Sequence, residues 1–158
     1  MNWKPIVIIS NYEASDGNRY AMFSGFMIRP PRRLRYVNAG HNPPVVIRSS
    51  PYGSCQHLRL ETGDPVVGLL PDVCYQEDSL LLHPGDLFLA YTDGIGETMT
   101  AAGEEWGEEA VILAAQYAAS KTAADIVKTI FEAADGFTEK ATQHDDMTLL
   151  VVKLSSLP

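Results

Sequence analysis

The chain has 158 residues, of which 46% are apolar and 20% are charged, so the composition predicts a packed core and argues against disorder. This length favours one domain. The formal net charge of -8 has the wrong sign for a nucleic-acid-binding surface. No apolar run reaches the roughly 20 residues of a membrane helix, and the N-terminus lacks a signal-peptide pattern. We therefore predict a cytoplasmic protein that binds neither nucleic acid nor membrane.

The first half of the sequence predicts short strands joined by turns, an arrangement that favours antiparallel sheets. The predicted strands cover residues 20–28, 34–39, 45–47, 57–60 and 79–82. Residues 87–91, Leu-Phe-Leu-Ala-Tyr, are apolar on both faces, which is typical of a central strand that is covered on both sides.

The second half predicts helices and a closing strand. Residues 108–119 are rich in Ala, Leu and Ile and predict a helix. A second helix begins at Thr122, a favourable N-cap residue, with Asp125 in the capping-box position. Residues 147–154 predict another buried strand. Strands, then helices, then a strand indicate the α+β class, with largely antiparallel sheets and flanking helices.

Two acidic motifs lie at the ends of predicted strands. Thr92-Asp93-Gly94 directly follows the strand at 87–91, and Asp145-Asp146 directly precedes the strand at 147–154. If these strands pair antiparallel, Asp93 and Asp145 converge at one sheet edge, where they repel each other unless a cation or a proton lies between them. Ligation by oxygen alone favours Mg²⁺ or Mn²⁺ over zinc.

Each motif alone has a simpler interpretation. Asp-Gly is first of all a turn dipeptide, and an Asp-Asp pair before a strand is compatible with a solvated loop. His144, beside Asp145, is interpreted as an exposed loop histidine rather than a metal ligand.

The cysteines and a cluster of arginines give weaker signals. Cys55 and Cys74 lack C-x-x-C spacing and are predicted to be reduced, half-buried thiols. The basic cluster is interpreted as a solvated turn, with the anchoring of a phosphoprotein as an alternative. Its members are Arg29, Arg32, Arg33 and Arg35.

Four stretches together are more specific than any single motif. They are Leu-Arg-Tyr-Val-Asn-Ala-Gly-His-Asn-Pro-Pro (34–44), Pro-Val-Val-Gly-Leu-Leu-Pro (65–71), Pro-Gly-Asp-Leu-Phe-Leu-Ala-Tyr-Thr-Asp-Gly-Ile-Gly-Glu (84–97) and His-Asp-Asp-Met-Thr-Leu-Leu-Val-Val (144–152). In this order and spacing they resemble the PPM (protein phosphatase 2C-like) serine/threonine phosphatases. The resemblance is closest to the bacterial branch of stage II sporulation protein E and the sigma-factor regulatory phosphatases. It covers residues 20–154, and residues 1–19 form a non-matching N-terminal segment.

The resemblance implies an αββα sandwich and a site with two Mn²⁺ or Mg²⁺ ions. Such a site hydrolyses phosphoserine or phosphothreonine by a metal-activated water, without a phosphoenzyme. The implied substrate is a phosphorylated regulatory protein, such as an anti-sigma-factor antagonist.

The resemblance also assigns roles to individual residues. Asp93 and Asp145 are the implied metal ligands, and the turn at Gly94 presents Asp93. The segment around His41 resembles a structural turn of the family, with proton transfer as the alternative role. Asp146 is implied to be either a further ligand or a residue that supports the ligands, and Gly94, Thr92 and His41 are implied to support them.

One family motif is absent from this sequence. Family members carry an earlier Asp-x-Ser-Gly-His-Gly motif whose aspartate bridges both metals, and in residues 1–35 only Asp16-Gly17-Asn18 contains Asp-Gly. Asp16 is interpreted as a turn residue, so the chain resembles the C-terminal two-thirds of the domain and forms a partial sandwich. It could be part of a longer protein, the product of a displaced gene start or a natural remnant.

The absent motif has two predicted consequences. The remaining carboxylates would hold one ion or none, so a catalytically impaired remnant that acts as a protein-binding regulatory module is the alternative function. An uncovered sheet face would expose an apolar patch and permit self-association.

Overall fold

The computed structural model describes residues 4–14, 17–28, 32–49, 55–61, 63–139 and 146–155. These residues form two antiparallel four-stranded sheets and three helices, which confirms the predicted α+β class. The strands are β1 (Lys4–Ala14), β2 (Gly17–Ile28), β3 (Arg33–Ala39), β4 (Val45–Ser49), β5 (Cys55–Arg59), β6 (Asp78–Leu81), β7 (Leu87–Tyr91) and β8 (Leu149–Lys153). The helices are α1 (Asp93–Gly96), α2 (Glu108–Tyr117) and α3 (Ala123–Thr138). None of the described helices is long and apolar enough to cross a membrane.

The chain divides into two compact units. The first unit comprises residues 1–44 and 59–84, and the second comprises residues 45–58 and 85–158. The first unit contains the sheet β1-β2-β3-β6, and the second contains the sheet β5-β4-β7-β8.

The sheet of the first unit is built on the predicted hairpin of β2 and β3. These strands pair antiparallel from Phe23 opposite Asn38 to Ile28 opposite Arg33, which confirms the hairpin. Phe23 and Leu34 are fully buried, and the Phe23 ring stacks on Tyr36 with 5.6 Å between ring centroids. Alternate residues of each strand thus supply one apolar inner face.

Strand β1 was not predicted from the sequence. Its apolar run, Ile6 to Ile9, is short and continues into polar residues, so the pattern gave no clear strand signal. In the structure the strand pairs with β2 along its whole length, from Lys4 opposite Met27 to Ala14 opposite Gly17. The hydrogen-bonded ladder, rather than side-chain periodicity, therefore defines this strand.

One face of the same sheet carries exposed apolar side chains beside exposed arginines. Val7 and Ile9 on β1 have 54% and 59% of their surface exposed, and Phe26 and Leu81 are also exposed. The register places all four on one face, because Val7 lies opposite Ser24, Phe26 opposite Arg35 and Leu81 opposite Arg33. The predicted exposed apolar patch is present, while self-association through it stays a prediction.

The second unit is organised around β7. All five residues of this strand are buried, and it lies between β4 and β8, which confirms the predicted central strand. One side of the sheet packs against the apolar sides of α2 and α3, where Val111, Ile126 and Ile130 are fully buried. Helix α3 begins as predicted, since the Thr122 hydroxyl accepts a hydrogen bond from the Asp125 amide at 3.2 Å.

Two predictions about burial are wrong. The closing strand was predicted to be buried, but β8 is half exposed because it pairs with β7 on one side and ends the sheet of described strands. Alternate side chains such as Leu150 therefore reach solvent. The cysteines were predicted to be half-buried, and Cys55 and Cys74 are free thiols that are exposed.

A tight contact in the first unit joins two of the stretches that carry the family resemblance. Gly40 has a φ of +73°, and a Cβ atom on it would lie 2.5 Å from Val66 Cγ1. Isolated bridges pair Ala39 with Asp64 and Tyr20 with Val67, so the segment from 64 to 67 lies against the turn at Gly40. Glycine is required here both by the backbone conformation and by the close approach.

We predict that Gly40→Ala lowers the free energy of unfolding by about 2–4 kcal/mol, because a left-handed backbone strain adds to a steric clash. Gly63→Ala is the matched control, since Gly63 has the same φ of +73° and open space around its Cβ position. It should cost only about 1 kcal/mol. Chemical denaturation measures both, and equal losses would show that the Val66 contact contributes nothing.

A buried ion pair joins β4 to the turn before β7. Asp86 is 1% exposed, and its two carboxylate oxygens accept hydrogen bonds from Arg48 Nε at 2.9 Å and from Arg48 Nη2 at 2.7 Å. This hydrogen bonding to Asp86 raises the pKa of the Arg48 guanidinium. The paired geometry compensates the cost of burying the carboxylate.

Replacing Arg48 with Met should lower the free energy of unfolding by about 3 kcal/mol, because it leaves a buried carboxylate without its counter-charge. Arg35→Met is the control, since the Arg35–Glu77 pair is exposed and should contribute less than about 1 kcal/mol. Adding Asp86→Asn to Arg48→Met should recover part of the loss. A double variant as unstable as the single one would contradict this account.

Candidate functional site

The ends of β7 and β8 lie side by side, as the sequence predicted. The strands pair antiparallel from Leu87 opposite Lys153 to Tyr91 opposite Leu149. Beyond the last pair, the Thr92 amide donates a hydrogen bond to the Thr148 carbonyl at 3.1 Å. The segment that follows β7 is thereby placed next to the segment that precedes β8.

The Thr92 side chain strengthens this junction. Its hydroxyl donates to the Asp146 carbonyl at 3.0 Å and accepts from the Thr148 amide at 3.0 Å. One hydroxyl thus binds both an acceptor and a donor of the neighbouring segment. The backbone of Asp146 is held against the residue that immediately precedes Asp93.

Asp93 is the first residue of α1, and its side chain is exposed. Its Oδ1 accepts a hydrogen bond from the Gly94 amide at 3.0 Å, which fixes the orientation of the carboxylate. Helix α1 is anchored by Ile95, which is fully buried in the apolar core of the second unit. A rigid element therefore presents an accessible carboxylate at the end of the central strand.

The segment at Gly94, predicted to form the turn that presents Asp93, is a single helical turn. Gly94 lies inside the short helix α1 and is buried, and it is not among the described glycines with positive φ. Its carbonyl accepts from the Thr98 hydroxyl at 2.9 Å. Ile95 and Thr98 anchor this helical turn to the core.

The second predicted ligand cannot be compared with the structure. Asp145 and His144 lie outside the described residues, as does Asp16, so the convergence of Asp93 with Asp145 stays a prediction. Asp146 is described and exposed. The structure thus brings Asp93 and Asp146 to one end of the sheet, through the Thr92 junction.

The donor set at this end suits a hard cation. Within the described ranges, no group of three or more His, Cys, Asp and Glu residues is arranged to hold a metal. Asp93 and Asp146 are both acidic, and Mg²⁺ is commonly held by one or two carboxylates while it keeps several waters. The described residues therefore fit part of a ligand set for Mg²⁺ or Mn²⁺.

His41, the fourth supporting residue in the prediction, is built into a turn of the first unit. It is 4% exposed, its amide donates to Asn38 Oδ1 at 2.9 Å, and its Nδ1 lies 2.7 Å from the Asn42 carbonyl. This arrangement favours the structural interpretation of His41. Asn38 was not predicted to take part in this turn, and its Nδ2 also donates to the Leu60 carbonyl at 3.2 Å. An asparagine three residues before the histidine is a signal for such a turn.

Comparisons with known proteins agree with this architecture. The family model described as stage II sporulation protein E (SpoIIE) matches residues 9–155. Protein IcfG of Synechocystis sp. is 29% identical over 151 residues, which cover 92% of this chain and 23% of IcfG.

Solved structures share the fold, and three of them are compared with this chain. The SiaA-PP2C domain of Pseudomonas aeruginosa superposes with a TM-score of 0.70 at 17% identity, covering 88% of this chain and 53% of that one. A second structure is the PP2C phosphatase domain of SpoIIE from Bacillus subtilis, solved with a fragment of its regulatory domain. It superposes with a TM-score of 0.67 at 18% identity, covering 85% of this chain and 38% of that one. The SpoIIE phosphatase domain in its manganese-presoaked form superposes with a TM-score of 0.58 at 17% identity, covering 85% of this chain and 56% of that one.

The chain spans only about a quarter to a half of the length of these relatives. The family match, in contrast, takes in nearly all of its residues and includes every described strand from β2 to β8. The fold shared with the PP2C domains agrees with this family match. The chain belongs to the stage II sporulation protein E family and has a PP2C-like phosphatase fold.

Proposed function

We propose that the chain contributes to a metal-dependent protein serine/threonine phosphatase that acts on a phosphorylated regulatory protein, such as an anti-sigma-factor antagonist. The observation that supports this proposal most directly is the position of Asp93. It is an exposed carboxylate at the end of the central strand, beside Asp146, in a chain of the SpoIIE family.

Asp93 and Asp145 are the residues proposed to hold Mn²⁺ or Mg²⁺, with Asp146 next to them. A bound divalent ion would lower the pKa of a water and neutralise charge on the transferring phosphoryl group. Manganese was soaked into crystals of the SpoIIE phosphatase domain from Bacillus subtilis, and this supports the same choice of metal here.

The chain's own residues would position the acidic groups. The Gly94 amide donates a hydrogen bond to Oδ1 of Asp93, and this contact orients the carboxylate before a cation binds. The Thr92 hydroxyl holds Asp146 to the end of β7. Because Asp93 is exposed, the site is open to a phosphate group carried by another protein.

We predict that Asp93→Asn weakens Mn²⁺ binding by at least about tenfold, because the amide removes a charged oxygen donor. The rate at which a phosphoserine peptide is hydrolysed in Mn²⁺ should fall as well. Asp145→Asn should lower both the Mn²⁺ affinity and the hydrolysis rate. Titration calorimetry and phosphate release measure the two effects. Asp135→Asn on α3 is the control, since it removes the same charge from an exposed position of the same unit.

Two outcomes would contradict the proposal. Hydrolysis that survives both Asp93→Asn and Asp145→Asn would place the chemistry elsewhere. A chain that neither binds Mn²⁺ nor releases phosphate, yet binds a phosphoprotein, would support the regulatory binding module instead.

Thr92→Val should weaken Mn²⁺ binding by about tenfold while Asp93 itself is unchanged, because Val cannot hold the Asp146 carbonyl and the Thr148 amide. Thr92→Ser keeps the hydroxyl and should restore the affinity. Manganese titration followed by electron paramagnetic resonance distinguishes this effect from a simple loss of stability, which denaturation measures separately. Equal affinities of the Val and Ser variants would exclude a positioning role for Thr92.

A further inference from the structure

Strand β1 forms one edge of the sheet in the first unit. It pairs with β2 on one side, and no described strand lies on its other side. The pairing with β2 runs along all 11 residues of β1, so the open edge has the same length. Such an edge presents a row of unpaired backbone N–H and C=O groups that another extended chain can bind.

The hydrogen bonds of Tyr20 show which residues of β1 point toward the open edge. Both backbone groups of Tyr20 bond to Val67, at 3.1 and 2.9 Å, so they point away from β1. Tyr20 lies opposite Asn11, and this pair is therefore not hydrogen-bonded across the ladder. Because hydrogen-bonded and non-bonded pairs alternate, the odd-numbered residues of β1 direct their backbone groups to the open edge. The even-numbered residues bond to β2.

The same odd-numbered residues carry exposed apolar side chains at the centre of the strand. Val7 and Ile9 are exposed, whereas Ile6 and Ile8 between and beside them are half-buried. Residues 5–12 contain no charged side chain. Proteins commonly protect an edge strand with inward-pointing charges, bulges or a very short length, and the centre of β1 has none of these.

The open edge specifies what can bind to it. The partner must be an extended segment with free backbone groups and β-branched side chains on alternate residues, because such cross-strand pairs are favourable. The other edge strands described in this chain, β5, β6 and β8, have five, four and five residues. Each of them contains a charged residue, respectively Arg59, Asp78 and Lys153. Strand β1 itself is the described edge strand that meets both requirements.

We infer that β1 pairs antiparallel with β1 of a second copy of this chain, which joins two four-stranded sheets into one continuous sheet. A two-fold axis perpendicular to the sheet generates this pairing and makes every contact occur twice. It keeps the exposed faces of both copies on the same side, so Val7 and Ile9 of the two copies lie together. The inference does not depend on the proposed phosphatase activity.

The dimer should be weak. One pair of edge strands with four β-branched side chains buries less than the roughly 1,200 Å² at the lower limit of stable specific interfaces. The net charge of -8 on each copy also opposes association. We therefore expect a dissociation constant in the micromolar range rather than the nanomolar range.

The first test uses the unmodified full chain, from low micromolar to millimolar concentration. Analytical ultracentrifugation should show a monomer that becomes a dimer. In hydrogen exchange followed by NMR, the amides of Val7 and Ile9 should exchange at least about tenfold more slowly in the dimer, because they become hydrogen-bonded. The amides of Ile6 and Ile8 bond to β2 in both states and should not change in the same way. A monomer at every concentration, or equal exchange at Val7 and Ile9 throughout, would overturn the inference.

The second test separates the edge of the sheet from its exposed face. Ile9→Lys should raise the dissociation constant of the dimer by at least about tenfold, because the two-fold axis brings both added charges into one small interface. Leu81→Lys is the matched control, since Leu81 is exposed on the same face but lies on β6, at the opposite edge of the sheet. It should dimerise like the unmodified chain. Denaturation verifies that both variants are folded, and an equal loss of dimer in both would place self-association on the face and contradict pairing through β1.

Discussion

The second unit depends on the burial of β7 on both of its faces. Five consecutive apolar residues can be buried together only when strands lie on both sides and other residues cover both faces, and β4 and β8 provide the pairing. The neighbours β4 and β8 therefore have little freedom in register. The position of Asp93 follows, because the chain leaves this fixed strand at Thr92 and enters α1, whose Ile95 returns to the same core.

The local parts of the fold could be predicted because their signals lie within a few residues. The apolar run of β7, the Thr122 N-cap and the hairpin of β2 and β3 are all encoded by neighbouring residues. Strand β1 and the half-exposed state of β8 depend on what pairs with them across the sheet. The residues inside those segments do not encode their pairing partners, so neither feature could be predicted from the sequence.

The candidate site shows the same division. Strand order alone placed the segment after β7 beside the segment before β8, and the pairing of Tyr91 with Leu149 agrees with it. The helical conformation at Gly94 could not be predicted, because it depends on the burial of Ile95 in a core that forms from distant residues.

The close packing at Gly40 also limits which substitutions this part of the chain can accept. Since the position of a Cβ on residue 40 is already filled by Val66, a mutation at either site alters the fit of the other. A side chain at position 40 would need a smaller residue at position 66 and a backbone that tolerates the left-handed conformation. The stretches 34–44 and 65–71 should therefore evolve as a coupled pair, so that a chimaera exchanging one without the other would inherit a mismatch that neither parent contains.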